Sequence, residues 1–287
     1  MNIREALNAA EKRLENAGVP DARLDAEYLL AEALQTPRLS LLIDKLRSVP
    51  EKVRAAFDGF VARREKREPL QYILGTQPFM GFPFRTDARA LIPRNDTEAV
   101  CEAALRVLSK GGAVLDLCTG SGALAVAIKK LRPDAAVTAS DLSAEALSLA
   151  RENAAALGAE VAFAQGDLFE PLAGLRFDLI VSNPPYIPEG LRGRLQEEVR
   201  KEPPLALFAG ADGLDFYRRI AREAPEHLCP EGWLVLEIGD DQFEAVSALL
   251  DDQFMGIEMI RDMNDRPRGI QARLKQGREA ESDGREI

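Results

Sequence analysis

From residue 112 onward, short apolar runs alternate with stretches of helical pattern, and this alternation constrains the fold more than any other feature. The runs of strand length cover residues 113–118, 135–140, 160–165, 177–182 and 232–238, with helical patterns at 122–131, 143–157 and 213–229. Strands that alternate with helices form a parallel sheet covered on both faces. Two further runs, 254–261 and 269–274, have no helix between them and predict an antiparallel hairpin at one edge of the sheet.

The first 68 residues, in contrast, show only helical patterns. Gly18-Val19-Pro20 ends the first predicted helix, Asp21 is placed to cap the second, and further helical segments lie near 38–46 and 50–67. This pattern predicts a small helical bundle. In its second helix, the apolar side is expected to contain Leu24, Tyr28, Leu29 and Ala31.

The residue composition of the sequence changes at the end of this helical part. Prolines and glycines interrupt aromatic residues near residue 80, where Phe82 and Phe84 alternate, so a β-hairpin is predicted around 77–92. The predicted organisation is a helical domain at 1–75, a linker with the hairpin at 76–92, an α/β domain at 93–275 and a disordered polar tail at 276–287.

Charge is distributed unevenly along the chain. The net charge is −10, yet residues 1–85 carry 14 Lys and Arg against 12 Asp and Glu, which leaves −12 for the remainder. Phosphate neutralisation dominates nucleic-acid affinity, so direct binding to nucleic acid is not expected. The run Arg63-Arg64-Glu65-Lys66-Arg67 is interpreted as a solvated helix face rather than a basic patch.

Other classes of protein are excluded by what the sequence does not contain. No apolar run approaches the roughly 18 residues of a membrane span, and Glu5, Glu11 and Glu15 argue against a signal peptide. Three widely spaced cysteines favour a reducing cytoplasm over a disulfide framework. With His227 as the only histidine, neither a His-rich metal site nor a Ser-His-Asp triad is expected, and no metal is predicted.

The first predicted strand of the α/β part runs into a glycine-rich turn, Cys118-Thr119-Gly120-Ser121-Gly122. Such a turn lets the backbone approach a ligand, and the next helix offers free N–H groups. Asp141 ends the second strand, where a carboxylate can bind both hydroxyls of a ribose. These features predict a ribonucleoside cofactor, but a NAD-binding turn has the same pattern. Cys118 has no paired base, which favours packing over a nucleophilic role.

The segment that decides between cofactors follows the fourth strand. Asn183-Pro184-Pro185-Tyr186 lies where ligands of open α/β sheets bind. Because the prolines fix the backbone and withhold N–H donors, the Asn183 side-chain oxygen and the Pro184 carbonyl can converge as acceptors on one planar NH2 group. Tyr186 supplies an aromatic face beside it.

This motif resembles the signature of amino-group methyltransferases that use S-adenosylmethionine, which is shared by DNA adenine methyltransferases and enzymes acting on glutamine. Three further segments are similar to bacterial release-factor glutamine methyltransferases: 69–75 (PLQYILG), 91–98 (LIPRNDTE) and 237–239 (EIG). The resemblance covers most of residues 1–274. It implies a Rossmann-like, seven-stranded class I methyltransferase sheet with a small helical N-terminal domain, in a monomeric cytoplasmic enzyme.

The resemblance also implies site residues. Cofactor contacts are expected from Cys118, Thr119, Gly120, Ser121, Gly122, Asp141, Asp167, Leu168 and Asn183; substrate contacts are expected from Asn183, Pro184, Pro185 and Tyr186. Of these, Asn183, Pro184 and Tyr186 form the expected catalytic set. Asp167 is placed to accept from the adenine amine, although an ordinary surface carboxylate explains it almost equally well. The expected acceptor is the glutamine in the Gly-Gly-Gln loop of peptide chain release factors, and residues 1–75 are expected to bind that protein.

The sequence departs from the family pattern in four places. Cys118 and Asn95 stand where glycine and proline are usual, and Leu168 stands where some members have tryptophan. The usual Asp-x-x-Gly-x-x-Arg segment appears as residues 262–268 (DMNDRPR). These departures bear on cofactor affinity and leave the predicted reaction unchanged.

Three other functions remain open at this stage. A DNA or RNA adenine methyltransferase could use the same pair of acceptors, although the acidic charge and the absence of a long basic insertion argue against it. A dehydrogenase would explain Gly120, Gly122 and Asp141 but leaves Asn183 and Tyr186 without a role. A scaffold that binds cofactor without turnover is the non-enzymatic alternative.

Overall fold

A computed structural model describes residues 1–276 of the chain. Of the predicted disordered tail, residues 277–287 lie outside this described part. The contacts divide the chain into two compact units: the first consists of Met1–Thr76, Thr86–Ala88 and Leu195–Glu202, and the second contains the rest. No sequence pattern indicated that Leu195–Glu202 belongs to the first unit.

The first unit is built from helices, as its sequence pattern predicts. They are α1 (Ile3–Asn16), α2 (Ala22–Leu34), α3 (Arg38–Ile43), α4 (Glu51–Glu65) and α5 (Leu70–Leu74). At the start of α1, the Asn2 side chain accepts from the Glu5 backbone while the Glu5 carboxylate accepts from the Asn2 N–H, which satisfies two otherwise unpaired donors. The core of the unit comes from the apolar stripes of α1, α2 and α4.

Two details predicted for α2 are wrong. Asp21 occupies the N-cap position, but its side chain accepts no capping hydrogen bond. The apolar side of the helix is also different: Leu29 and Ala31 are buried, whereas Leu24 and Tyr28 are each 40% exposed. The guanidinium of Arg38 lies 5.3 Å from the Tyr28 ring, a cation–π contact that gives this tyrosine a polar partner at the surface.

The basic run near the end of α4 is not a solvated face throughout. Arg64 is only 5% exposed, and its guanidinium contacts Asp25 at 2.7 Å and Glu198 at 2.8 Å. Arg67 donates two further hydrogen bonds to Glu198, at 2.6 and 2.7 Å. The solvated interpretation fails here because carboxylates distant in sequence pair these arginines, which a local charge pattern cannot show.

After the first unit, a short hairpin leads into alternating strands and helices. The elements are β1 (Thr76–Phe79), β2 (Phe82–Arg85), α6 (Thr97–Val107), β3 (Ala113–Leu117), α7 (Ala123–Leu131), β4 (Ala136–Asp141), α8 (Ala144–Leu157), β5 (Ala162–Gln165), β6 (Phe177–Ser182), α9 (Asp215–His227), β7 (Leu228–Glu237), α10 (Phe243–Leu250), β8 (Phe254–Arg261) and β9 (Pro267–Leu274). The predicted hairpin at 77–92 is therefore shorter, ending at Arg85, and α6 and α10 were not predicted.

Seven strands form the main sheet in the order β5-β4-β3-β6-β7-β9-β8. The first five strands in this order are parallel, and β9 inserts antiparallel between β7 and β8, so the predicted antiparallel hairpin at one edge is confirmed. This is the predicted class I methyltransferase sheet. Because β3 and β6 are neighbours, the turn after Leu117 and the motif after Ser182 leave the sheet at the same edge.

The central strands are buried because their side chains face helices on both sides. Val114 and Leu115 on β3, for example, point to opposite faces and are both fully buried in separate apolar clusters. Among residues 1–276, no helix is long and apolar enough to cross a membrane.

Candidate active site

A cleft of about 1050 Å³, including its open mouth, lies at the carboxyl ends of β3, β4 and β6 within the second unit. Nine of the predicted site residues line it: Cys118, Thr119, Gly120, Ser121, Asp141, Asp167, Leu168, Asn183 and Pro185. Its size suits a ligand larger than a single ring system. The fold therefore brings the glycine-rich turn and the Asn-Pro-Pro-Tyr motif, about 60 residues apart in the sequence, to one place.

Three predicted site residues do not line the cleft. Gly122 is the N-cap of α7 with a φ of 82°, and a Cβ there would lie 3.0 Å from the Cβ of Ala150, so this glycine permits close packing of α7 on α8. Pro184 is buried, and Tyr186 packs against the apolar cluster that contains Tyr217.

The glycine-rich turn is held against the next strand by backbone donors. The Gly120 N–H donates to Asp141 Oδ2 at 2.8 Å, and the Thr119 N–H donates to the Ser140 carbonyl at 2.9 Å. Gly120 has a φ of 56°, and a Cβ built there meets no atom within 4 Å. A side chain at this position would thus be strained and would enter the open space along the turn.

Asp116, at the end of β3, is a site residue that the sequence reasoning missed. It is fully buried, and its Oδ2 accepts from the Thr119 hydroxyl at 2.5 Å and from the Ala125 N–H at 3.0 Å. Burial raises the pKa of Asp116 to about 7, against the effect of these two hydrogen bonds. The carboxyl group joins the two ends of the turn, so its first role is to fix the turn's shape. Its position just before the glycines was the signal available in the sequence.

Cys118 adopts a left-handed backbone with a φ of 61°, a conformation in which the glycine usual in the family is favoured. Burial raises the pKa of its thiol, with Asp141 adding to the effect, so the group is a thiol rather than a thiolate. Its packing against the second apolar cluster of the sheet agrees with a packing role.

Two carboxylates lie on the cofactor side of the cleft. Asp141 accepts from the N–H groups of Gly120 and Ser143, and burial raises its pKa despite them. Asp167 is 38% exposed on its side chain and pairs with Arg219 at 2.9 Å. Beside it, Leu168 is buried and lines the cleft as an aliphatic wall. Asp167 can therefore face a ligand while it keeps its ion pair.

Asn183 is the polar residue at the acceptor end of the cleft. Its Nδ2 lies 3.4 Å from the Thr97 hydroxyl, to which it donates, and among residues 1–276 no donor occupies its Oδ1. Thr97, the first residue of α6, also lines the cleft. The side chain is thus oriented with an acceptor oxygen available to a planar NH2 group.

Two hydrogen bonds fix the position of Tyr186. Its hydroxyl donates to Glu237 Oε1 at 3.3 Å, and its carbonyl accepts from Gln242 Nε2 at 3.0 Å. Burial raises the pKa of the Tyr186 phenol, and the Glu237 charge adds to this effect, so the tyrosine stays neutral. The ring position is therefore set by groups on β7 and at the start of α10, none of which local sequence could connect to it.

Comparison with known proteins identifies the family of the chain. Residues 5–75 match the family described as PrmC N-terminal domain, and residues 97–265 match the family described as methyltransferase small domain. A release factor glutamine methyltransferase of Geobacter sulfurreducens is 50% identical over 245 residues, 85% of this chain and 86% of that protein. The Deinococcus radiodurans protein of the same description is 42% identical over 280 residues, 96% of this chain and all of the relative.

A solved structure supports the fold separately. A methyltransferase from Pyrococcus furiosus matches with a TM-score of 0.53 and 19% identity, over 68% of this chain and 90% of that one. The sheet order, the cleft at its carboxyl edge and these matches define a class I methyltransferase. The chain belongs to the release factor glutamine methyltransferase family.

Proposed function

We propose that this chain transfers the methyl group of S-adenosylmethionine to the side-chain amide nitrogen of the glutamine in the Gly-Gly-Gln motif of peptide chain release factors, and so supports translation termination. The observation that carries the proposal is the orientation of Asn183, whose Nδ2 is engaged by Thr97 so that Oδ1 remains an acceptor at the cleft. The family membership of the chain supports release factors as the protein substrate.

The residues of the cleft fit S-adenosylmethionine. The open space at Gly120 lets a nucleoside or amino-acid moiety approach the turn, and Asp141 presents a carboxylate suited to ribose hydroxyls. Leu168 offers an apolar surface to a purine, and Asp167 an acceptor for its amine. When bound there, the cofactor supplies an electrophilic methyl group on a sulfonium.

The acceptor amide needs help because its nitrogen lone pair is delocalised into the carbonyl. Asn183 Oδ1 and the Pro184 carbonyl would each accept one N–H of the glutamine, which holds the nitrogen in line with the methyl carbon and lets it pyramidalise. Orientation of this kind can supply several kcal/mol, up to about 7–11 in the best intramolecular cases. The Tyr186 ring would pack against the amide plane and favour the positive charge that develops there.

The bonds balance without a strong base beside the motif. Methyl transfer from the bound cofactor would form the nitrogen–carbon bond at the expense of the carbon–sulfur bond, and one amide proton would leave to water or a backbone acceptor. A lysine ammonium has no free lone pair and would not react in this clamp. Methylglutamine at the N5 position is the expected product.

Labelled methyl donor tests the proposal directly. The protein is incubated with labelled cofactor and either a release factor or double-stranded DNA, and mass spectrometry locates the label. We expect methylation of the Gly-Gly-Gln glutamine, and none when that residue is replaced by Glu, because a carboxylate lacks the NH2 donors and would be buried unpaired. Label on adenine with none on the release factor would instead establish the DNA or RNA methyltransferase alternative.

The first unit is the part that we propose binds the release factor. Three large apolar side chains of α3 and the segment after it are exposed, Leu39 at 65%, Ile43 at 82% and Leu46 at 71%, and exposed apolar groups in proximity are typical of protein-binding surfaces. Replacing Ile43 by Ser should raise KM for the intact release factor and leave KM for a short Gly-Gly-Gln peptide unchanged. Equal effects on both substrates would contradict this assignment.

We also propose that the enzyme acts as a monomer in the cytoplasm, where release factors are used, and without binding nucleic acid directly. The net charge of −10 opposes phosphate contacts, and all three cysteines are unpaired. Sedimentation of the purified protein with and without ribosomal RNA checks both the oligomeric state and the absence of RNA binding.

A further inference from the structure

Glu237 is a buried carboxyl group for which the proposed reaction has no role so far. It is the last residue of β7, directly before Ile238, and it is 1% exposed. Its Oε1 accepts from the Tyr186 hydroxyl, while Oε2 has no hydrogen-bond partner among the described residues. A buried carboxyl oxygen without a hydrogen-bond partner destabilises the folded state, so its presence next to Tyr186 calls for a physical reason.

Separate stretches of the second unit act on this carboxyl group: Tyr186 contacts it, and Thr97 and Arg268 lower its pKa. Thr97 begins α6, Tyr186 follows β6, and Arg268 lies on β9. Arg268 is 8% exposed and pairs through Nη2 with Asp96 at 3.3 Å, and at 3.6 Å with both Asp240 and Asp262. Its Nε, like Glu237 Oε2, is buried without a hydrogen-bond partner among residues 1–276. The cluster thus joins four sequence motifs that are far apart along the chain.

The direction of each hydrogen bond in the cluster has a consequence for Asn183. Thr97 accepts from Asn183 Nδ2, so its own hydroxyl proton must point elsewhere, and a hydrogen bond from Thr97 favours the ionised Glu237. A hydroxyl that donates to a carboxylate offers only lone pairs to the amide. The Asn183 amide must then present Nδ2 to Thr97 and Oδ1 to the cleft.

We propose that Glu237 is a positioning residue which, through the Thr97 hydroxyl, fixes the Asn183 amide with its oxygen toward the acceptor glutamine. It also holds the Tyr186 ring through the hydroxyl contact. The proposal rests on the proposed function, since it assigns a means of orientation to the same clamp. Glu237 itself touches neither substrate nor cofactor in this arrangement.

The protonation of Glu237 should control this orientation. Burial raises its pKa to about 7, while Thr97, Arg268 and Tyr186 favour the charged form and Asp96 opposes it. Tyr217, on α9, donates to the Glu237 backbone carbonyl at 2.8 Å and leaves the carboxyl group to the other residues. A protonated Glu237 can donate to Thr97, which frees the hydroxyl proton of Thr97 for Asn183 Oδ1. The Asn183 amide can then flip, so that its Oδ1 faces Thr97 and its Nδ2 faces the cleft.

The test uses Glu237→Gln in the full-length protein. The glutamine keeps the size of the side chain and an acceptor for Tyr186, but its NH2 group competes with Asn183 for the Thr97 oxygen. We expect kcat to fall about 10²-fold, the scale of a misplaced reacting group, with the cofactor Kd and the melting temperature near the wild-type values. Wild-type kcat should decrease below about pH 7, and this pH dependence should be absent in the variant.

Other variants separate positioning from packing. Thr97→Val removes the hydroxyl at constant shape and should reduce kcat to the same degree, while Thr97→Ser should recover at least tenfold of the loss. Glu258→Gln is the matched control, because Glu258 is exposed on β8, where its carboxylate accepts from Gln271. Its kcat should equal that of the wild type.

Two outcomes would overturn the inference: kcat within about twofold of wild type in both Glu237→Gln and Thr97→Val, or a loss that appears in cofactor affinity instead of kcat. If Glu237→Gln does not fold, the Thr97→Val and Thr97→Ser pair decides alone. Failure of the proposed function is visible separately, because the wild-type protein would then leave the release factor unmethylated.

Discussion

The two ends of the cleft hold a buried carboxyl group by different means. At the cofactor end, Asp116 is bonded by Thr119 and Ala125, both within nine residues of it along the chain. At the acceptor end, Glu237 contacts Tyr186, which is 51 residues away, and the groups Thr97 and Arg268 that act on it also lie on other elements of the chain. Burial raises the pKa of both carboxyl groups to about 7. A local loop thus shapes the cofactor site, whereas the tertiary fold shapes the acceptor site.

If the two ends work separately, substitution at one end should spare the function of the other. The largest effect is expected for Asn183→Ala, which should reduce methyl transfer by about 10²–10³-fold, as for other positioned polar groups in active sites. Calorimetry should show cofactor affinity within about twofold of wild type. Asn264→Ala, at an exposed loop position, is the matched control and should change neither quantity.

Retention of near-full turnover by Asn183→Ala would refute the clamp. A large loss of cofactor affinity in this variant would instead show that Asn183 also binds the cofactor, so that the two ends form one site.

Asp141→Ala should show the opposite pattern. Loss of the carboxylate removes charge-assisted hydrogen bonds to a ribose and the acceptor for the Gly120 N–H, so cofactor binding should weaken by about 1–3 kcal/mol. At saturating cofactor, kcat should largely recover. Calorimetry with S-adenosylmethionine, its demethylated product and NADH measures the effect, with Asp252→Ala at an exposed position as control.

Tight binding of NADH by the wild type, with no binding of the sulfonium cofactor, would rule out the proposed use of the cleft.

Stability against pH should report both buried carboxyl groups. Their folded-state pKa values, about 7, lie above the ordinary range, so protonation favours the folded state; this contribution is full below about pH 4 and is lost as pH rises through 7. Asp116→Asn cannot titrate, and its melting temperature relative to wild type should therefore increase between pH 5 and pH 8. A difference in melting temperature between the variant and the wild type that stays constant across this pH range would show that Asp116 does not titrate there.

Tyr186→Phe should have the smallest effect. The phenyl ring keeps the face proposed to contact the amide, and only the 3.3 Å hydrogen bond to Glu237 is lost. We expect less than a tenfold decrease in kcat, whereas Tyr186→Ala should approach the effect of Asn183→Ala. Steady-state kinetics on the release factor compares them, and equal loss in both variants would assign the role to the hydroxyl instead of the ring.

The difference between local contacts at the cofactor end and contacts between distant elements at the acceptor end also explains what the sequence could predict. The strands, the turn at Gly120 and the acid at Asp141 are local signals, because apolar runs and glycines determine nearby backbone conformation. Helix α6 was missed since it follows an irregular segment, and the roles of Thr97 and Glu237 were missed because their partners lie on other elements. The family resemblance indicated these segments as motifs but assigned them no contacts.

In the first unit, Arg64 shows the limit of charge patterns in the same way. A run of basic residues predicts a solvated face, yet Arg64 is buried and pairs with Asp25 and Glu198. Nothing in residues 60–68 distinguishes the buried arginine from Arg63, which is half exposed and pairs with Glu68. Only the tertiary structure places a carboxylate from residue 198 against it.

The position of Glu198 late in the chain should affect when the first unit folds during synthesis. Glu198 follows Arg67 by 131 residues, and the segment Leu195–Glu202 completes a unit whose other helices are synthesised first. While the ribosome is still translating the α/β part, Arg64 has its buried partner Asp25 but lacks its second partner, Glu198. The N-terminal unit should therefore resist protease in stalled nascent chains only after residue 202 has left the exit tunnel.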